Sequence, residues 1–250
     1  MKKKVWLPTI IMFFFGVLFL MPIILLVMNA FKTHNDMIQN FLSFPHYLYT
    51  GNFTEAIERL KFWRVVGNSA YVTLGTMLVC TIISFMAAYG IAHIPGKLGN
   101  FLYLIFTLGQ IIPFHSIMIA LSVQLTNANL LNNLTVLILL YAGFHGAFGI
   151  FTYVGFLKSI PKELEEAAAI DGCGMFRCMW QVIFPLVRST SITLLVLFFL
   201  WTWNDFLMPN LYVSDSGMRT LTVAIYMFKS TSGSEWNLML AGMTLSMVPI

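Results

Sequence analysis

Four of the ten acidic residues in this 250-residue chain fall within nine positions, Glu163, Glu165, Glu166 and Asp171, in the stretch "PKELEEAAAIDG". They form a charged, hydrogen-bond-accepting surface in a sequence that otherwise reads as lipid-facing. At bilayer depth each such charge costs about 2.5–3.5 kcal/mol even on the mildest scale. The segment therefore lies in water or against another protein.

Local signals specify a short helix there. Pro161 suits a first-turn position, where its missing N–H is no loss, and the early glutamates meet the positive end of the helix dipole. Gly172 supplies a left-handed stop. Leu164, Ala167, Ala168 and Asp171 recur at helical spacing, which predicts a small, smooth face ending in a carboxylate that a partner can approach closely. A second helix is expected to follow. Met175, Phe176, Met179, Trp180 and Ile183 form its apolar stripe, Arg177, Cys178 and Gln181 face away, and Pro185 breaks it.

Two readings of this pair stand side by side. An interfacial amphipathic helix suits the second element, but such a helix carries Lys and Arg on its polar face against anionic lipid. The first element is acid-rich and alanine-smooth, so docking into a soluble partner describes it better.

The elements around this loop are set by composition. The chain is 58% hydrophobic and 10% charged, with 23 Phe and 16 Met, far from the roughly 25% charged residues of a soluble domain. It is a membrane protein. The net charge of +4 is spread along the chain instead of gathered in a basic face, which argues against a nucleic-acid partner. Cys80, Cys173 and Cys178 have neither metal-ligand spacing nor an evident disulfide partner.

A bilayer core needs about 20 mostly apolar residues per helix. That ruler gives spans at Val5 to Phe31, Val65 to Ala92, Phe101 to Leu125, Leu134 to Phe156, and Ser189 to about Met208. A sixth run starts near Leu238 and reaches the last residue, Ile250, before it is long enough to cross, so it reads as a span cut short. The first run is longer than the roughly 7–15 residue core of a signal peptide and is read as a retained helix. The expected fold is an all-α polytopic bundle. Its first part, 1–64, holds the first span and an outer loop; 65–250 forms a transmembrane domain with a loop at 158–188.

Cytoplasmic loops carry the excess of Lys and Arg. With the N-terminus inside, Lys2, Lys3, Lys4, Lys97, Lys158, Lys162, Arg177 and Arg188 are cytoplasmic, eight against six outside. That orientation places the acidic loop in the cytoplasm. Polar groups at or near membrane depth tend to face a bundle interior: Asn68, Gln110, His115, Ser116, Asn204 and Asp205. Each is read first as a helix–helix hydrogen-bond partner and second as part of a solute path. His93 and His145 have no second ligand at metal spacing and are read as structural.

"EEAAAIDGCGMFRCMWQVIFPL" closely resembles the EAA loop of ABC importer permeases. "VGNSAYVT", "AAYGIA", "IIPFHSIMIAL", "FLKSIPKELEEAAAIDG" and "FLWTWNDFLMP" are similar to the carbohydrate-uptake branch, in particular the second membrane subunit of maltose-type importers. The likeness runs from Phe53 onward. Cys173 stands where that family usually has Ala, and Asp205 where Glu is common. The resemblance implies a type I-like bundle of six spans, with the loop as a coupling helix seated in a cytoplasmic ATPase.

Carried over residue by residue, Glu166, Ala167, Ala168, Asp171 and Gly172 are the coupling positions. Gln110, His115, Asn204 and Asp205 are candidates for the sugar path. The implied partners are a dimer of ATP-binding subunits, a second homologous permease, an extracellular solute-binding protein and membrane lipid. ATP and magnesium belong to the ATPase, and this chain has no GxxxxGK[ST] loop and no triad candidate of its own. The implied location is a bacterial plasma membrane. Competing readings are an ABC permease for a non-sugar solute, a secondary transporter or channel, and an integral-membrane enzyme.

Overall fold

The computed structural model describes residues 6–229 and 235–250, and every regular element among them is helical. In chain order these are α1 (Trp6–Ala30), α2 (His34–Gln39), α3 (Gly51–Leu60), α4 (Phe62–His93), α5 (Gly96–Gly109), α6 (Phe114–Asn127), α7 (Leu134–Leu157), α8 (Glu163–Ile170) and α9 (Met175–Cys178). A π-helical turn at Met179–Ile183 leads into α10 (Phe184–Leu186), followed by α11 (Arg188–Asn204), α12 (Leu207–Tyr212), α13 (Leu221–Tyr226) and α14 (Trp236–Ser246). Val5 and the orienting Lys2, Lys3 and Lys4 lie outside the described residues.

Length and apolarity qualify three of these helices to cross a membrane alone: Pro8–Ala30 within α1, then α4 and α7. The expected straight third span is corrected to two helices of 14 residues each, α5 and α6, bent by 90° at the intervening break. At about 1.5 Å per residue each half is roughly 21 Å long, short of a bilayer core of about 30 Å. The cause is Pro113: its ring excludes the carbonyl one turn back, and it has no N–H to continue the ladder. Hydropathy averaged over a window passes straight through such a break. A second bend, of 78°, separates the Met175–Leu186 stretch from α11.

The residues group into two compact units: those up to Val66 with those from Leu221 onward, and Gly67–Thr220. In the first, α14 packs against α1, α2, α3 and α13. Lys32 is only 1% exposed there. Its Nζ donates to Asn29 Oδ1 at 3.1 Å, Asn40 O at 2.6 Å and Phe41 O at 3.3 Å, which supplies all three ammonium protons with acceptors. Asn52 Nδ2 donates to the carbonyls of Ala30 and Lys32, closing the open end of α1. Arg59 bridges Glu55 at 2.6 Å and Glu235 at 2.8 Å.

In the second unit, α4, α7 and α11 share a core. Small residues let α4 and α7 meet closely, as is general for helices in lipid: a Cβ built on Gly149 would fall 2.7 Å from Ser84 Cβ and 3.2 Å from Phe198 Cζ. The Ser84 hydroxyl donates to Gly146 O at 3.2 Å, satisfying its proton across the same contact. Phe85 of α4 gathers Tyr153, Trp180 and Phe184 around it, with ring centroids 4.9–5.5 Å away. The acidic loop is thereby anchored to the bundle by aromatic packing.

Two expectations about that loop change. Its second helix does not end at Pro185. The ladder widens to a π turn, with the Phe184 N–H donating to Met179 O, so that Pro185 enters the next short helix near its start. The apolar stripe holds at Met179 and Ile183, both buried, and differs at its start: Cys178 is buried at 5%, while Met175 and Phe176 are each 66% exposed.

Candidate functional site

Helix α8 follows an N-cap at Lys162, so Pro161 stands one residue outside the helix instead of in its first turn. Glu163, Glu165 and Glu166 fill that first turn, where they complement the exposed N–H groups and the dipole. At the other end Gly172 adopts φ +77°, its N–H donates to Ala169 O at 3.0 Å, and the Cys173 N–H donates to Ala168 O at 2.9 Å. This pair of bonds is a Schellman close, which a left-handed glycine permits without Cβ strain. Local chemistry alone set both ends.

The faces of α8 are distributed differently from the expectation. Ala168 turns inward, 9% exposed, and joins the core with Tyr89, Cys178 and Met179. It does not belong to a smooth outer face. Glu165 also turns inward, and its Oε2 lies 2.5 Å from Nε2 of His93. Glu163, Glu166, Ala167, Asp171 and Gly172 remain exposed, as does Leu164. Ile170 is the most prominent feature, at 87% exposure. The outward surface thus combines carboxylates with one unburied aliphatic side chain. The helical spacing read from the sequence, Leu164, Ala167, Ala168 and Asp171, did not include Ile170.

A second group of polar residues converges elsewhere in the same unit. His115, Asn204 and Asp205 line one cleft of about 580 Å³ with Phe114, Tyr141, His145 and Trp201. Gln110 is at the α5–α6 break and is not among the lining residues. Asn68 is used otherwise: its amide donates to Gly217 O at 3.0 Å and Arg219 O at 2.9 Å, holding a loop.

Asp205 ends α11 and starts α12. Its carboxylate accepts from Tyr141 Oη at 2.6 Å, from the Leu207 N–H at 3.0 Å and from the Met208 N–H at 3.3 Å. Beside it the His145 ring stacks on Tyr141 at 5.4 Å and 13° and meets Trp201 at 5.2 Å. His145 Nε2 is buried without a hydrogen-bond partner among the described residues. Tyr141 and Trp201 were missed in the sequence because they sit inside long apolar runs, and His145 was read there as structural. A usable signal exists: Tyr141 with His145, and Trp201 with Asp205, are i,i+4 pairs, each on one helical face.

A chain of apolar helices, two pairs of them sharply bent, with an acidic capped helix and, separately, a polar–aromatic cleft, has the architecture of a membrane transport subunit. Residues 80–250 match the family described as "Binding-protein-dependent transport system inner membrane component", and the chain belongs to that family. It is 36% identical over 252 residues to the probable starch degradation products transport system permease protein AmyC of Thermoanaerobacterium thermosulfurigenes, covering 99% of this chain and 92% of that one. It is 34% identical over 229 residues to the multiple sugar-binding transport system permease protein MsmG of Streptococcus mutans serotype c, covering 89% and 80%. Among solved structures, a bacterial ABC transporter involved in the import of the acidic polysaccharide alginate contains a chain of the same fold, with a TM-score of 0.83, 19% identity and coverage of 97% and 91%.

Proposed function

We propose that this chain is one of two homologous membrane subunits of a bacterial ATP-driven sugar importer, working by alternating access. The observation that carries the proposal is α8, an acidic helix closed by Gly172 that offers Glu163, Glu166 and Ile170 outward while its other side is fixed to the bundle. Such a helix is a docking element for a soluble partner, since its charge keeps it out of lipid. The partner is a dimer of ATP-binding subunits, which hold the ATP and magnesium. Glu166 offers a carboxylate to a donor in the partner's groove, Ala167 permits close approach, Asp171 and Gly172 set the exit of the chain, and Ala168 seats the helix on its own bundle.

The chain then has six spans, with the N-terminus and loop 158–188 cytoplasmic, 1–64 contributing the first span and outer loop and 65–250 the transport domain. Names of relatives such as AmyC and MsmG support a carbohydrate substrate delivered by an extracellular binding protein. The cleft supports it as well: Trp201 and Phe114 provide apolar faces for a sugar ring, with Asn204, His115 and Asp205 at its polar edge. Gln110, at the bend between α5 and α6, is assigned to the same path.

Copurification tests this function. Gentle detergent extraction is expected to bring down an ATPase and a second permease, and a binding protein loaded with maltotriose is expected to stimulate ATP hydrolysis. A fully active transporter isolated from this chain alone overturns the reading, and so does the absence of any ATPase.

A further inference from the structure

His93 is the last residue of α4, and both of its ring nitrogens face oxygen. Nδ1 lies 2.7 Å from the carbonyl of Tyr89, one turn back, and Nε2 lies 2.5 Å from Oε2 of Glu165. A carbonyl only accepts, so Nδ1 carries a proton toward Tyr89. Nε2 and the Glu165 carboxyl face each other across a hydrogen bond that joins the end of α4 to the first turn of α8. The Tyr89 ring lies against the imidazole, with centroids 4.1 Å apart, and limits its rotation.

On the other side of this bond, α8 packs against α9 and the π turn. Its buried contact is Ala168, which is thin and without a polar group, while Glu163, Glu166, Ala167 and Ile170 point away. The His93–Glu165 pair is a polar link from α8 directly to the end of α4. The helix it grips is an unbroken 32-residue rod, in contrast to the bent pairs α5–α6 and α9–α11. A displacement delivered to α8 at this point is carried along α4 without a joint to absorb it.

We infer that His93 is a positioning residue for transport: through Glu165 it transmits movement of the docked ATPase from α8 to α4. The inference rests on α8 being the docking element. The test uses the whole importer containing this chain in proteoliposomes, with radiolabelled maltotriose as the transport probe, phosphate release as the measure of hydrolysis, and amide hydrogen exchange across α8. In the His93→Ala variant the ATPase is expected to stay bound and to hydrolyse ATP. Maltotriose carried per ATP is expected to fall about tenfold, the upper end for one hydrogen bond, with faster exchange in α8.

His93→Lys, which keeps an N–H donor for Glu165, is expected to recover most of the ratio, an outcome that a purely structural role for the imidazole does not produce. Should His93→Ala fail to assemble, Glu165→Gln, of nearly the same shape, is expected to show the same lowered ratio. An importer that transports normally as wild type and has an unchanged ratio in His93→Ala or Glu165→Gln overturns the inference alone. A wild-type preparation with no ATPase bound overturns the docking role of α8 and this inference with it.

Discussion

The Tyr141 hydroxyl donates to Asp205 at 2.6 Å, joining the middle of α7 to the end of α11. The same carboxylate holds the first N–H groups of α12, so one side chain fixes three helices around the cleft. Tyr141→Phe is expected to destabilise the protein by about 1–3 kcal/mol, because the bond is to a charged acceptor in a partly buried place. Asp205→Ala also removes a helix start, adding about 1 kcal/mol. Thermal unfolding of the purified protein in one detergent checks the order, Asp205→Ala below Tyr141→Phe below wild type.

Ile170 separates partner binding from folding. It is 87% exposed, so Ile170→Ser is expected to leave stability within about 0.5 kcal/mol of wild type. If the ATPase buries this side chain, about 1.5–3 kcal/mol of association is lost, a factor of ten to a hundred in affinity. Retention of the ATPase on the immobilised permease at graded concentrations measures it, and undiminished retention removes Ile170 from the interface.

Gly172 is required by conformation and not by space. A Cβ there meets nothing within 4 Å, but φ is +77°. Gly172→Ala is expected to cost about 1–2 kcal/mol of local stability and Gly172→Asn less, since Asn visits that region more readily. Amide exchange over residues 163–173 reads the local loss. Transport and ATPase association are expected to fall together in the order Gly, Asn, Ala.

Gly149 gives the opposite case, in which space decides. Its φ is ordinary, yet an added Cβ overlaps Ser84 and presses on Phe198. Gly149→Ala is expected to destabilise by about 1–3 kcal/mol, and Ser84→Gly in the same chain to return part of that loss. A double-mutant cycle on unfolding temperature gives the coupling, which is zero if α4 and α7 are not in contact here.

The extent to which the fold and sites could be read from residues follows from how local each cause is. The membrane class, the long helices α1, α4 and α7, and both ends of α8 rest on signals within one or two turns: apolar length, early acids, a glycine after the last turn. The bend before α6 was just as local in origin, since Pro113 stood in plain view, but a hydropathy window sums apolarity and is blind to a missing N–H. The inward placing of Cys178 depended on a core it shares with Tyr89 and Ala168, which no local periodicity anticipates.

By itself the sequence determined an all-helical membrane protein of transport type and the residues that must stay out of lipid, because solvation in a bilayer is decided residue by residue along one helix. Only the tertiary structure decided which side of α8 is free, that Glu165 belongs to His93, 72 positions away, and that His115 from α6, Tyr141 and His145 from α7, and Trp201, Asn204 and Asp205 from α11 and its end share a cleft. Those relationships arise from the packing of helices distant in sequence, where a side chain's partner is set by crossing angle and close approach and leaves no periodic trace in the chain.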